Sequence, residues 1–213
     1  MKASRVLPRL AGALMAGFLW LALPASAAPV AGKDYKLLAS PQKPDTEGKI
    51  EVIEFFSYGC PHCYDFNPLI TQWAKQLPAN VAFVRVPISL GRQPWGQLVR
   101  AFYALQATGD LERLDTALFE AIHKEHQALF DEASLTAWAA KHGIAADKFK
   151  STLESFNVST RSSHAERLAR DYQVQGVPHL VIDGKYEILG QNYNELLKNA
   201  SAVLEMLEQP GKH

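Results

Sequence analysis

The sequence is poor in cysteine and has no excess of charge of either sign. Its 213 residues include only two cysteines, Cys60 and Cys63, which excludes a small disulfide-stapled scaffold. Lys+Arg and Asp+Glu both number 22, so the basic excess that is typical of nucleic-acid-binding proteins is missing. With 47% hydrophobic and 21% charged residues, the composition is that of a globular protein rather than a disordered one. The two thiols therefore need a joint explanation.

The first 27 residues carry the features of a secretory signal peptide. Lys2, Arg5 and Arg9 precede a 14-residue uncharged stretch over 10–23, and Ala25-Ser26-Ala27 offers the small residues that a signal peptidase reads. The stretch is short for a membrane-spanning helix, and an uncleaved anchor is the alternative. Since the signal holds three of the 22 basic residues and none of the 22 acidic ones, cleavage after residue 27 would leave a net charge of −3. The protein is then expected in an exported, oxidising compartment.

Apolar patterning along the rest of the chain predicts an α/β protein. A strand over 49–57, a helix over 61–77 and a strand over 81–88 form a βαβ unit, which implies parallel strands. The remaining predicted elements are, in order, several short helices between 93 and 158, a helix over 162–175 with Gly176 as its C-cap, a strand over 179–182, an Asp183-Gly184 turn, a strand over 185–189, and a helix over 194–208. The order predicts an α/β domain made of 28–92 and 162–213, interrupted by an all-helical insertion over 93–161.

Cys60-Pro61-His62-Cys63 places two thiols where the first predicted strand meets the first predicted helix. With Pro61 as the first helical residue, Cys60 is the N-cap, and its side chain faces the free backbone N–H groups of the first turn. Those donors and the positive helix end favour a thiolate at Cys60, and a protonated His62 would add to the effect. Cys63 lies one turn inside the helix and is expected to be more shielded.

This asymmetry predicts a redox function for the cysteine pair. Stabilising the Cys60 thiolate stabilises the reduced form, so the disulfide becomes a stronger oxidant and Cys60 a better leaving group. Two alternatives stay open. A zinc site needs about four ligands, of which the motif offers three at most. An inert structural disulfide would close so short a loop that it would remove little chain entropy. Redox exchange is therefore favoured.

The stretch Glu54 to Tyr64, EFFSYGCPHCY, resembles the thioredoxin superfamily, and within it the DsbA family of periplasmic thiol oxidases. Gly176-Val177-Pro178, followed by a strand and an Asp183-Gly184-Lys185-Tyr186 turn, is a second match. CPHC is fairly specific to these oxidases, a family that provides a known case of a lowered cysteine pKa and an oxidising disulfide. The resemblance covers essentially the whole mature chain. It implies a thioredoxin-like fold with an all-helical insertion domain.

The resemblance also implies a role for each residue near the motif. Cys60 would be the exposed nucleophile that forms a mixed disulfide with the substrate, and Cys63 would be its buried partner. Pro61 and His62 complete the catalytic motif. Pro178 would be a cis-proline that faces the motif, and the adjacent Val177 would offer its backbone to an extended substrate segment by strand-like pairing.

Glu54 is an acidic residue in a strand that is otherwise predicted to be buried. A buried carboxylate is costly and often functional, so Glu54 either shuttles a proton for Cys63 or is partly exposed or paired, for example with Arg85. The matching acid of the DsbA family favours the proton shuttle. The chain departs from the family pattern at Asn67, where an acid is frequent, and at Arg85, where a lysine is familiar. His179, directly after the proline, is also unusual and is expected to have no catalytic task.

The function implied by the resemblance is that of a periplasmic thiol:disulfide oxidase. It would pass the Cys60–Cys63 disulfide to reduced, unfolded exported proteins, and a DsbB-type, quinone-linked membrane partner would reoxidise it. Neither an organic cofactor nor a metal is expected, and the protein is expected to be a monomer. The alternatives are a disulfide reductase or isomerase, a non-catalytic peptide-binding module, and a metal-binding protein. Isomerases of the family generally carry a dimerisation region ahead of the catalytic domain, for which the segment 28–48 is too short.

Overall fold

The computed structural model describes residues 28–208, and the predicted signal peptide lies outside this range. Within it, the elements follow in the order β1 (Tyr35–Leu37), β2 (Ile50–Phe56), α1 (Pro61–Ala74), β3 (Val81–Pro87), α2 (Gln93–Thr108), α3 (Leu111–His123), α4 (Glu132–Lys141), α5 (Ala146–Leu153), α6 (Phe156–Asp171), β4 (His179–Ile182), β5 (Tyr186–Ile188) and α7 (Tyr193–Glu208). In this described part of the chain, no helix combines the length and apolar character that crossing a bilayer requires.

The strands form one mixed sheet in the order β1-β5-β4-β2-β3. β2 pairs in parallel with β3, as the predicted βαβ unit requires, and antiparallel with β4. β4 and β5 form the predicted hairpin; three residues, 183–185, separate the paired Ile182 and Tyr186, and Asp183 and Gly184 both have positive φ (51° and 62°). The edge strand β1 was not predicted, because three residues are too few to show a period.

Both faces of β2 are covered by helices, which explains its near-continuous apolar sequence. One core lies between the sheet and the helices α1 and α7, and it includes Val52 and Phe66. The other core extends from the sheet into the helical insertion and includes Phe56, Phe102 and Phe119. The carboxyl end of β2 therefore lies where the sheet, α1 and the insertion meet.

The helix α6 differs from the sequence-based expectation at both ends. It begins at Phe156 and is capped at its C-terminus by Tyr172, so the predicted start at 162 and the predicted C-cap at Gly176 are wrong. The start is marked by Ser155, whose side chain accepts a hydrogen bond from a backbone N–H of the first turn. The first half of α6 is rich in polar residues and shows little apolar period. As a result, α6 runs across the predicted domain boundary at residue 161.

Candidate active site

The end of β2, the loop 57–59 and the start of α1 hold the two cysteines, both of which are free thiols. Cys60 is the N-cap of α1, with extended backbone angles (φ −93°, ψ 119°), and Pro61 is the first helical residue, as predicted. The Cys60 backbone N–H donates to the Ser57 carbonyl at 3.1 Å. Cys60 is 6% exposed and Cys63 is 1% exposed. Cys60 is thus the more accessible sulfur, although its opening is narrower than the resemblance implies.

The environment of Cys60 favours ionisation of its thiol. The pKa of Cys60 is lowered to about 6, chiefly because the Cys63 side chain donates a hydrogen bond to it. Burial opposes this shift, whereas the backbone N–H groups of Cys63 and His62 and the charge of His62 support it. The Cys60 side chain makes no capping hydrogen bond with the first turn, so the predicted N-cap contact is absent, although the nearby N–H groups still lower the pKa. The largest contribution nevertheless comes from the neighbouring thiol, which the sequence argument did not include.

The environment of Cys63, in contrast, favours the protonated thiol. Burial raises the pKa of Cys63 far above its ordinary value, and the hydrogen bond and charge at Cys60 act in the same direction. Glu54 adds to the increase, while a backbone hydrogen bond with Ser57 lowers it. At neutral pH the reduced pair consequently consists of a thiolate at Cys60 and a thiol at Cys63.

The loop that follows α6 brings Val177 and Pro178 against the motif. The Val177–Pro178 peptide bond is cis, in agreement with the resemblance. The Sγ of Cys60 lies 3.5 Å from the carbonyl oxygen of Val177, to which the protonated thiol donates. A groove of about 560 Å³ next to this loop is lined by His62, Pro178 and Tyr193, among others. A backbone carbonyl thus contacts the more accessible sulfur, and the groove opens beside the residues that flank it, His62 and Val177.

Glu54 is completely buried in β2, and it is paired with Arg85. The two residues are neighbours in the parallel register of β2 and β3, and Arg85 Nε donates to Glu54 Oε2 at 2.6 Å. The second oxygen, Oε1, is buried without a hydrogen-bond partner among the described residues. Burial raises the pKa of Glu54, although Arg85 counteracts it. Glu54 is therefore a buried, paired acid rather than a partly exposed one, and it lies near enough to Cys63 to raise the pKa of that thiol.

Comparison with known proteins places this site in a family. A family model described as "DSBA-like thioredoxin domain" matches residues 51–202. The chain belongs to the DsbA family. The "Thiol:disulfide interchange protein DsbA" of Pseudomonas aeruginosa is 44% identical over 178 residues, which cover 82% of this chain and 84% of that protein. The protein of the same description from Burkholderia cepacia is 38% identical over 188 residues, 88% of each chain.

Solved structures agree with the family assignment. The crystal structure of Pseudomonas aeruginosa DsbA matches with a TM-score of 0.81 at 40% identity, and the match covers 86% of this chain and 97% of that chain. The fold is therefore the DsbA-like thioredoxin fold that the sequence predicted, with helices inserted between β3 and β4. As a member of the DsbA family, the protein is a thiol:disulfide oxidoreductase.

The site of this DsbA-family chain includes an acid that the sequence pattern alone did not single out. Asp115 of α3 accepts a hydrogen bond from Arg85 Nη1 at 2.7 Å and another from the Tyr58 hydroxyl. The sequence does indicate that this position is inward-facing, because residue 115 falls at helical spacing with the apolar residues Leu111 and Leu118. A carboxylate on such a stripe requires a buried partner. Nothing in the sequence shows that the partner is Arg85.

Two ring side chains of the insertion pack around the loop that precedes Cys60. Trp95 in α2 lies so close to Gly59 that a Cβ at this position would collide with the indole ring. His123 Nε2 donates to the Tyr58 carbonyl at 2.7 Å, and its ring stacks on Tyr64. The insertion therefore holds the backbone of the motif in place from one side.

Two other departures from the DsbA family pattern, Asn67 and His179, are side chains packed in α1 and β4. Asn67 is buried in α1, and its Oδ1 has no hydrogen-bond partner within 28–208. His179 packs against Phe55, with ring centroids 6.0 Å apart, and its Nε2 lies 3.9 Å from Glu187. These contacts are those of a packed sheet residue. In the same part of the chain, no group of three or more His, Cys, Asp or Glu side chains could hold a metal ion.

Proposed function

We propose that the protein is an oxidase that donates the Cys60–Cys63 disulfide to reduced exported proteins. A substrate thiolate attacks Sγ of Cys60, the Cys60–Cys63 bond breaks, and Cys63 leaves as a thiolate that takes up one proton. A second substrate thiolate then attacks the substrate sulfur of the mixed disulfide, and Cys60 leaves as a thiolate. The substrate loses two electrons and gains a disulfide, and the cysteine pair is reduced.

The observation that carries this proposal is the opposite ionisation of the two thiols. With its pKa lowered to about 6, Cys60 is a good leaving group, and the reduced pair is stabilised by its thiolate. A stabilised reduced form means that the disulfide is readily transferred to other thiols. This property favours an oxidase over a reductase.

Glu54 is proposed to supply the proton that Cys63 takes up in the first step. Its carboxyl is buried, and burial raises its pKa. The Cys63 thiolate forms in the same buried region, where two adjacent negative charges would be costly. Transfer of the proton from Glu54 to Cys63 leaves one negative charge, which Arg85 already accompanies at 2.6 Å.

The substrate is proposed to bind as an extended segment along Val177 by strand-like backbone pairing. Pro178 holds this backbone beside Cys60, and the groove of about 560 Å³ accommodates neighbouring side chains of the segment. Pro61 and His62 shape the helix start that faces it. All groups that the reaction uses come from one chain, so a monomer is sufficient.

The proposed location and reoxidation step are supported by family membership and by the amino-terminal sequence. Residues 1–27 have the composition of a signal peptide, so we place the protein in the periplasm, where disulfides persist. A DsbB-type membrane partner would return the pair to the disulfide. No organic cofactor is needed, because the two sulfurs carry both electrons. The proposed domain division is 28–92, 93–161 and 162–213, with α6 shared across the second boundary.

The equilibrium between the protein and a glutathione redox buffer tests the proposal. The pair should stay reduced in a buffer that leaves a thioredoxin-type disulfide oxidised. The Cys60→Ser variant cannot form the disulfide and controls for other sources of signal. Equilibration at a strongly reducing potential would reject the oxidase in favour of a reductase.

A further inference from the structure

The helical insertion contributes a charged group to the buried side of the motif. The Arg85 guanidinium lies between two carboxylates, with Nε 2.6 Å from Glu54 Oε2 and Nη1 2.7 Å from Asp115 Oδ2. It also lies over the ring of Phe56, 4.1 Å from the centroid. The side chains of Arg85 and Asp115 are only 15% and 14% exposed. The Arg85 guanidinium therefore forms ion pairs with two carboxylates in a site that is largely shielded from water.

Charge balance in this site decides which acid carries a proton. Burial acts against the charge of Arg85, but Glu54 and Asp115 together raise its pKa, so the guanidinium stays charged. If both acids were ionised, one buried negative charge would lack a partner, which is costly. Asp115 accepts a hydrogen bond from the Tyr58 hydroxyl, whereas Glu54 Oε1 receives no donor among the described residues. Burial also raises the pKa of Glu54, so the site favours a proton on Glu54.

We propose that Asp115 is a positioning residue for the redox reaction: by binding half of the Arg85 guanidinium, it keeps Glu54 able to hold the proton that Cys63 takes up. This inference rests on the proton role proposed for Glu54. Without Asp115, Arg85 would pair with Glu54 alone and hold it as a carboxylate. The Cys63 thiolate would then form beside a permanent negative charge, and attack on the disulfide would be slower.

The charged and titratable groups around Glu54 come from four parts of the fold. Arg85 comes from β3, Asp115 from α3, Cys63 from α1, and Tyr58 from the loop after β2. Asp115 raises the pKa of Glu54 and Arg85 lowers it, although burial has the largest effect. Neutralising Asp115 should therefore lower the pKa of Glu54.

The Asp115→Asn variant tests the inference through a pH profile. The rate at which reduced glutathione opens the Cys60–Cys63 disulfide is measured by rapid quenching and thiol alkylation. In this step the glutathione thiolate bonds to Cys60, Cys63 leaves, and the proton passes from Glu54 to Cys63. Each rate is divided by the wild-type rate at the same pH, which removes the ionisation of glutathione.

The expected ratio depends on pH. It should be close to one in acid, where Glu54 is protonated in both proteins. Near neutral pH it should be about tenfold lower, because fewer Glu54 carboxyls would hold the proton in the variant. Asp115→Glu keeps the charge and should restore most of the rate. If Asp115→Asn does not fold, the same ratio is measured on Asp115→Ser.

Asp110→Asn is the matched control. Asp110 precedes the same helix and also pairs with an arginine, Arg113 at 2.6 Å, but this ion pair lies at the surface. The Asp110→Asn ratio should stay close to one at every pH. A pH-independent loss in Asp115→Asn would indicate a purely structural role and overturn the inference.

The Glu54→Gln background separates the two proposals. Asp115→Asn should cause no further loss there, because no proton on residue 54 is left to control. A further loss of the same size would overturn the inference about Asp115. If Glu54→Gln alone leaves the rate unchanged at every pH, the proton role of Glu54 fails and the inference fails with it. The oxidase proposal is tested separately by the glutathione equilibrium.

Discussion

The two cysteines at the ends of the CPHC motif have thiol pKa values that are shifted in opposite directions. At Cys60, the helix start and the neighbouring thiol lower the pKa to about 6. At Cys63, burial raises the pKa far above its ordinary value. The two residues are only three positions apart, yet one turn of α1 leads from a sulfur with a narrow opening to one that is almost fully enclosed. A single helical turn is thus enough to separate a leaving group from a proton-holding partner.

The two ends also differ in where their neighbours come from. The groups that lower the pKa of Cys60 all belong to the motif itself, namely Cys63 and His62. The groups on the buried side come from distant parts of the chain: Glu54 from β2, Arg85 from β3 and Asp115 from α3. The reactive side is consequently local in sequence, whereas the buried side depends on the tertiary structure.

The largest expected effect comes from removing the more accessible sulfur. Cys60→Ser should reduce the oxidation of a reduced dithiol peptide to the uncatalysed rate, because no disulfide can form and no mixed disulfide can be made. Cys63→Ser keeps the nucleophile and should instead accumulate a mixed disulfide with glutathione. Turnover by Cys60→Ser would contradict the division of roles between the two cysteines.

A second prediction concerns what sets the ionisation of Cys60. In the reduced protein, thiolate absorbance should be lost as the pH falls through about 6. Since this pKa is depressed, the stability that the thiolate gives the reduced form is present at higher pH and is lost over the same acid range. Cys63→Ala removes the side-chain hydrogen bond that lowers the pKa of Cys60 most. The midpoint of the Cys60 titration should therefore move up toward the ordinary thiol value of about 8.5. An unchanged midpoint would mean that the backbone donors dominate.

A third prediction concerns the contact between the insertion and the loop before Cys60. Gly59→Ala should lower the free energy of unfolding by about 1–3 kcal/mol in a urea titration, because the new methyl group collides with Trp95. Gly96→Ala is the control, since a Cβ there meets no atom within 4 Å. In a Trp95→Ala background the Gly59→Ala penalty should shrink. If Gly59→Ala lowers the free energy of unfolding equally in both backgrounds, the loss comes from the backbone at residue 59 and not from the contact with Trp95.

The smallest effect is expected from His62→Ala. This substitution removes the imidazole charge but leaves the His62 backbone N–H, which lowers the pKa of Cys60 more than the charge does. The pKa of Cys60 should rise by less than about one unit, measured by the same thiolate absorbance. If His62→Ala shifts the pKa of Cys60 more than Cys63→Ala does, the His62 charge rather than the Cys63 hydrogen bond is the main cause of the lowered pKa.

The parts of the fold that were predictable are those with a local signal. The buried strand β2, the proline at the start of α1 and the Asp183-Gly184 turn each carry their own pattern, and the structure contains all three. The start of α6 was missed, because its N-cap Ser155 precedes a polar stretch with little apolar period. Trp95 was visible as a residue, but its contact with Gly59 depends on how the insertion folds back.

The redox pair, its position at a helix start and the preference for a thiolate at Cys60 could be read from the amino-acid order. These properties depend on neighbours within a few residues. The depth at which Cys63 is buried, the sharing of Arg85 by Glu54 and Asp115, and the carbonyl that faces Cys60 became visible in the folded protein. Burial and ion pairing depend on distances between segments that are far apart in the chain. Those distances exist only once the sheet and the insertion have packed together.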